Sequence, residues 1–238
     1  MGCKLCLKQK KLQKSHIIPE FFYQPLYDNL HKFNVITTSS KEKNKPEQKG
    51  IRERLLCYDC EQLLSPNEDY VRRVIYGGTE IKISRDGNNV IIWNTDYIKF
   101  KLFQLSLLWR SSVSKLKYFS NISLGPHEEK IRQMLITENP GESYDYGCFL
   151  SIPLMKGNVV IDDLILSPES LRINGHNCYR FVLGGCFWIF VVSTHSKSFE
   201  YSKLFLNKNG KLIIGLFPEE QTEFFTKLAQ DLKRKRKL

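Results

Sequence analysis

Two short cysteine pairs set the frame for this chain. CKLC places Cys3 and Cys6 near its start, and CYDC places Cys57 and Cys60 beyond residues 7–56. A two-residue gap lets both thiolates of a turn converge on one ion while nearby backbone amides offset the sulfur charge. Two such pairs therefore fit a tetrahedral four-cysteine zinc site, with buried free thiols or a redox pair as the alternatives the spacing leaves open. A disulfide framework belongs to oxidising compartments. The interval between the pairs exceeds what a simple zinc ribbon needs, so something folded is expected between them. Cys148, Cys178 and Cys186 lie in apolar runs such as YGCFLSIP and GGCFWIFVV without paired spacing, and read as small core residues.

The chain has 238 residues, 42% hydrophobic and 26% charged, which suits one large folded domain or two small ones. No apolar run reaches the length of a bilayer span, and MGCKLCLKQKKLQK lacks the apolar block of a secretion signal. Gly2 is followed by Cys6 where a myristoylation pattern wants Ser or Thr. A cytoplasmic protein with no membrane partner is expected. The net charge of +11 gathers at the two ends, and the tail KLAQDLKRKRKL is either a phosphate-touching run or a solvated helix end.

Between the pairs, LQKSHIIPEFF carries His16. Taken alone, a histidine beside β-branched residues is either a core residue or a site residue. The combination of CKLC, SHIIP and RERLLCYDCE resembles the zinc-stabilised branch of the HNH nucleases, the ββα-metal superfamily, over roughly the first third of the chain. The whole chain is similar to bacterial HNH-like proteins that carry a C-terminal extension. The resemblance implies that His16 is the general base that activates the attacking water. It implies a divalent metal, Mg²⁺ or Mn²⁺, beside it. Ser15 stands where active members carry an Asp or His metal ligand, and Glu61 stands where a His ligand commonly follows the second knuckle. The middle-motif Asn has no counterpart, because Arg52 and Glu53 occupy its place.

Phosphodiester cleavage needs an activated nucleophile, a cation against the developing charge and a proton for the leaving oxygen. Glu61 is a good hard ligand, Ser15 a poor one, and Glu53, Glu68 or Asp69 would have to supply a second anionic ligand. The same acids also suit the start of a helix in CEQLLSPNEDYVRRVI, which reads as helical with a Ser-Pro break.

EFFYQPLYDNLHKF is expected to form a short helix on the knuckles, with His31 packing or capping inside it. NVITTSSKEKNKPEQKG is expected to be a mobile loop whose Lys41, Lys43, Lys45 and Lys49 grip a nucleic-acid backbone or face solvent. Beyond residue 78 the patterning changes. EIKISRDGNNVIIWNTD reads as a hairpin, and TDYIKFKLFQLSLLWRSSVSKL as a central helix capped at Thr95 or Asp96. PHEEKIRQMLITENPG reads as an amphipathic helix. Strands are expected in GCFLSIPLM, NVVIDDLILSP, ESLRING, HNCYRFVLGGCFWIFVVS (broken at Gly184 and Gly185) and KLIIGLF, before a closing helix. Arg110, closing the buried helix, is expected to meet a carboxylate of the fold.

The expected fold class is α+β. A small zinc-stabilised ββα-metal (HNH-like) domain over residues 1–78 precedes an α+β domain over residues 79–238, with a largely antiparallel sheet and a basic C-terminal helix. The expected function is a metal-dependent HNH-like endonuclease acting on nucleic acid, DNA in the first instance, in a bacterial defence setting. The alternatives are a catalytically inactive zinc-stabilised nucleic-acid-binding module and a protein-interaction component docked through the second domain.

Overall fold

A computed structural model describes residues 2–36, 43–155, 158–193, 196–218 and 223–234. The first cysteine turn leads into β1 (Leu12–His16), a 3-10 turn over Glu20–Leu26, β2 (Phe33–Val35), β3 (Lys45–Glu47) and β4 (Arg52–Cys57). Helix α1 (Tyr58–Tyr76) starts directly from β4. β1 and β4 form an antiparallel ribbon that pairs Ser15 with Glu53 and His16 with Arg52. The register slips between Leu12 and Lys14, opposite Cys57 and Arg54, so β4 bulges just before the second cysteine pair.

The rest comprises β5 (Lys82–Asp86), β6 (Asn89–Trp93), α2 (Tyr97–Val113), α3 (His127–Ile136), β7 (Cys148–Leu154), β8 (Leu166–Ile173), β9 (His176–Leu183), β10 (Cys186–Val192), β11 (Leu212–Pro218) and α4 (Glu223–Arg234). Seven of these strands form one sheet in the order β5-β6-β11-β7-β10-β9-β8. Every neighbouring pair is antiparallel except β11 with β7. The architecture is therefore mixed α+β with a large, mostly antiparallel sheet. Among the described residues no helix is long and apolar enough to cross a membrane.

α2 is the buried centre. Its N-cap is Asp96, whose carboxylate accepts the Lys99 N–H at 3.0 Å. Every residue from Phe100 to Ser111 is buried, the polar Lys101, Gln104, Ser106 and Arg110 with the apolar Leu, Phe and Trp, so the helix is covered on all sides. Phe100 stacks on Trp188 of β10, and Phe103 meets that indole edge-on. Phe21 and Phe22 pack on Phe103, and Phe22 also meets Trp188. One continuous apolar cluster accordingly runs from Cys3 through α1 and α2 to Ile214.

Some elements differ from the sequence reading. α1 passes through Pro66 without a break, because Pro66 lies on the exposed face, where water can serve the carbonyl its missing N–H leaves free. His31 lies beyond the short 3-10 turn in a left-handed conformation (φ 55°), stacked on Tyr27. The expected strand NVVIDDLILSP contributes only an isolated bridge, Met155 to Val159, and its last residues join β8. Part of the expected loop pairs instead, as β3 against β2.

Candidate metal centre and histidine site

The first cysteine turn closes through backbone bonds, Leu7 N–H to the Cys3 carbonyl and Cys3 N–H to the Lys8 carbonyl, both 2.9 Å. Lys4 N–H reaches the Leu55 carbonyl at 2.9 Å and seats the turn on the bulged end of β4. The second pair sits where β4 becomes α1, with Cys57 as the helix N-cap. The Cys57 N–H donates to the Cys3 sulfur at 3.4 Å.

The four sulfurs lie within 4.8 Å of one another. Zn–S bonds of ~2.3 Å give a tetrahedron with edges of ~3.8 Å. Cys6 and Cys57 are 3.8 Å apart, nearly twice a disulfide bond. Burial and then neighbouring thiols push Cys60 up, and burial pushes Cys57 up. Burial also opposes ionisation of Cys6, yet the Lys8 backbone and adjacent thiols bring it down to about 7. Thiols crowded in this way share negative charge only if a cation joins them. Cys3, Cys6, Cys57 and Cys60 are thus close enough to hold a metal ion, consistent with a structural zinc.

His16 ends β1 at the opposite end of the ribbon. Its Nε2 stands 2.8 Å from Glu20 Oε2, and Glu20 Oε1 accepts the Tyr27 hydroxyl at 2.5 Å. The imidazole is half-buried, and burial holds its pKa below the ordinary 6.5. Glu20 and Glu68 oppose that shift, while Arg52 and Arg110 reinforce it. Behind His16, its carbonyl accepts the Arg110 Nη1–H at 2.7 Å, and Arg110 Nη2 bonds Glu68. Glu68 is thus the carboxylate of the fold expected for Arg110.

The other site candidates are already engaged. Ser15 is only 2% exposed; its hydroxyl donates to Glu61 and accepts the Leu56 N–H of the bulge at 3.3 Å. The structure therefore brings Ser15 and Glu61 together. Glu53 is held elsewhere, accepting from the Ser114 hydroxyl at 2.7 Å and the Lys115 N–H at 3.0 Å just after α2. Among the described residues, the four cysteines are the one group of three or more His, Cys, Asp and Glu side chains spaced to hold a metal.

A surface cleft of about 350 Å³ is lined by Lys14, Lys49, Arg52 and Arg54, with Glu47, Glu53 and Gly50. Arg52, the ladder partner of His16, places this basic cleft beside the ribbon. Of the four lysines singled out in the sequence, Lys49 lines the cleft, Lys45 pairs with Glu47 at 2.6 Å and Lys43 is exposed. Lys41 lies outside the described residues. A larger and mainly apolar cavity, about 620 Å³, is lined by Tyr23, Phe33, Leu116, Leu228 and Leu232 among others, and contains neither His16 nor a cysteine.

Sequence reasoning missed Glu20 and Arg52. The i,i+4 spacing of His16 and Glu20 was visible, but Pro19 between them argues against the helix that would give that spacing meaning. No protein-family model, curated protein or solved structure matches the chain. The chemistry of the site therefore rests on its own geometry.

Proposed function

We propose that this chain is an HNH-like endonuclease that hydrolyses phosphodiester bonds of nucleic acid, DNA in the first instance, with His16 as general base. The observation that carries the reading is the placement of His16. It ends the first strand of an antiparallel pair that the four cysteines tie at its far end and that runs directly into a helix, with a carboxylate against one ring nitrogen. Such a ββα unit is the frame that the sequence resemblance implies. Four basic side chains lining the adjacent cleft suit a phosphate backbone.

In this reading Glu20 holds the ring through Nε2, and Nδ1 takes the proton of the attacking water. The depressed pKa keeps the imidazole neutral, and so able to accept, at neutral pH. Water adds to phosphorus as the bond to the leaving oxygen breaks, and that oxygen is protonated from solvent. Arg52 lies closest in the ladder to oppose charge on the phosphoryl oxygens. Zinc on the four cysteines supplies structure alone, holding the bulged end of β4 to the first turn. Ser15, Glu61 and Glu53 are not gathered for a divalent ion as they stand: the Ser15 hydroxyl is bound to one Glu61 oxygen, and both Glu53 oxygens are bound to the segment after α2.

Those engaged oxygens favour a second reading, a nucleic-acid-binding module without catalysis. Cleavage of supercoiled and linear DNA by zinc-loaded protein, in Mg²⁺, Mn²⁺ or EDTA, separates the two. Nicking that is lost in His16→Ala at unchanged zinc content supports the nuclease. Salt-sensitive binding with no product in any metal supports the module.

A further inference from the structure

We propose that Arg110, on α2, is a positioning residue for His16, a role that rests on the reading of His16 as the base. The guanidinium is 1% exposed in the buried helix α2, 94 residues along the chain from the histidine it holds. Burying such a charge is costly unless its donors meet acceptors. Arg110 meets two: Nη1–H donates to the His16 carbonyl at 2.7 Å, and Nη2–H to Glu68 of α1.

The two acceptors explain the residue type. A planar fork with donors fixed in one plane can span a backbone carbonyl and a carboxylate from different elements, which a lysine ammonium does less well and a methionine cannot do. The carbonyl belongs to the last paired residue of β1, where the chain leaves the ladder. Beyond it, Ile17 N–H is held by the Ile51 carbonyl at 3.1 Å, and Glu20 returns to the imidazole. His16 is therefore met at two points: the Glu20 carboxylate lies against the ring, and Arg110, itself braced by Glu68, holds the backbone that carries it. If the Arg110 bond is lost, the peptide unit after His16 keeps only its Ile17 N–H bond to Ile51, and the backbone that carries the imidazole is held from one side instead of two.

The test uses the full zinc-loaded chain with Arg110→Lys, Arg110→Met, and Arg110→Met combined with Glu68→Gln, which removes the carboxylate charge that the single change would strand. Folding and zinc content are checked first. The rotamer of the His16 side chain is then read from NMR couplings in histidine-labelled protein, with the His16 signals assigned by their loss in His16→Gln. DNA cleavage is followed in parallel. The double variant is expected to fold and hold zinc while its His16 couplings become rotamer-averaged. Its kcat should fall by about 100-fold with KM little changed, as for a base displaced by about an ångström. Arg110→Lys should recover part of both effects.

Wild-type couplings, or a wild-type kcat, in the folded double variant would overturn the proposal. Failure of all three variants to fold would assign Arg110 to stability alone and overturn it too. If the wild-type chain cleaves neither DNA nor RNA, the nuclease reading fails, and the couplings alone decide whether Arg110 positions His16.

Discussion

Lys101 sits in the middle of α2 at 1% exposure, and its ammonium meets carbonyls rather than a carboxylate. It donates to Tyr146 at 2.9 Å and to Ser143 at 3.4 Å. Burial pushes it down to about 8, against the weaker pull of Cys148 and Asp145. Between that value and the ordinary 10.5, the unfolded chain binds a proton that the folded chain has released, so stability rises with pH across this window. Below it both states are protonated, and the folded state carries the whole penalty, ~3 kcal/mol. Lys101→Met abolishes the titration but leaves two carbonyls without their donor, at ~1–2 kcal/mol each. The two effects nearly cancel at neutral pH, so a single melting temperature says little. The informative quantity is the difference in unfolding free energy between wild type and Lys101→Met, measured by urea titration at fixed zinc from ~pH 7 to ~pH 10.5. Tyrosine and cysteine titrations are common to both proteins and drop out. The wild type should gain ~3 kcal/mol on the variant across that range. Curves that stay parallel within ~0.5 kcal/mol would refute the claim that Lys101 is buried as a charge.

Two further outcomes follow from the metal centre and the cleft. Cys60→Ser, or a strong chelator, should remove a metal worth ~10 kcal/mol or more and unfold the ribbon, read as lost zinc together with a lowered, broadened melt. An unchanged melt without zinc would remove the metal from the fold. Lys14→Ala with Lys49→Ala should weaken DNA binding without changing sequence preference and reduce the salt slope by ~1 per lost phosphate contact. An unchanged slope would place the nucleic acid elsewhere.

The four-cysteine cluster was legible because cysteine spacing is itself geometric: two short turns each bring a pair of sulfurs together, and the two pairs lie close enough to hold one ion. Much of the sheet and the start of α2 were legible for a similar reason, since alternation, DGNN and Gly184 with Gly185 mark strands and turns, and the Asp96 cap marks the helix. The surroundings of His16 were not, because they depend on which distant groups claim each polar atom. Glu53 reads as a free acid next to a knuckle until the segment after α2 donates to it. Ser15 reads as a poor substitute for a metal ligand until the β4 bulge supplies Leu56 N–H to its hydroxyl. Pro66 reads as a helix break until its exposed side is known. In each case the sequence names the group, and the tertiary fold decides its partner.

Residues beyond 78 take on a physical role through the same reasoning. The four cysteines join only the first turn to the β4–α1 junction, so a metal there cannot set the far end of the ribbon, where His16 lies. That end is held from α2 by Arg110 and, on the apolar side, by Phe21 and Phe22 packed against Phe103. Helix α3 makes a matching contact at the near end, where Arg132, paired with Glu129, donates to the Leu5 carbonyl between the first two cysteines. Apolar side chains of similar volume would stabilise α2 as well or better than a buried arginine. An arginine at position 110 makes sense when the bonds it makes matter more than the burial it costs, and one of those two bonds is to the backbone of His16.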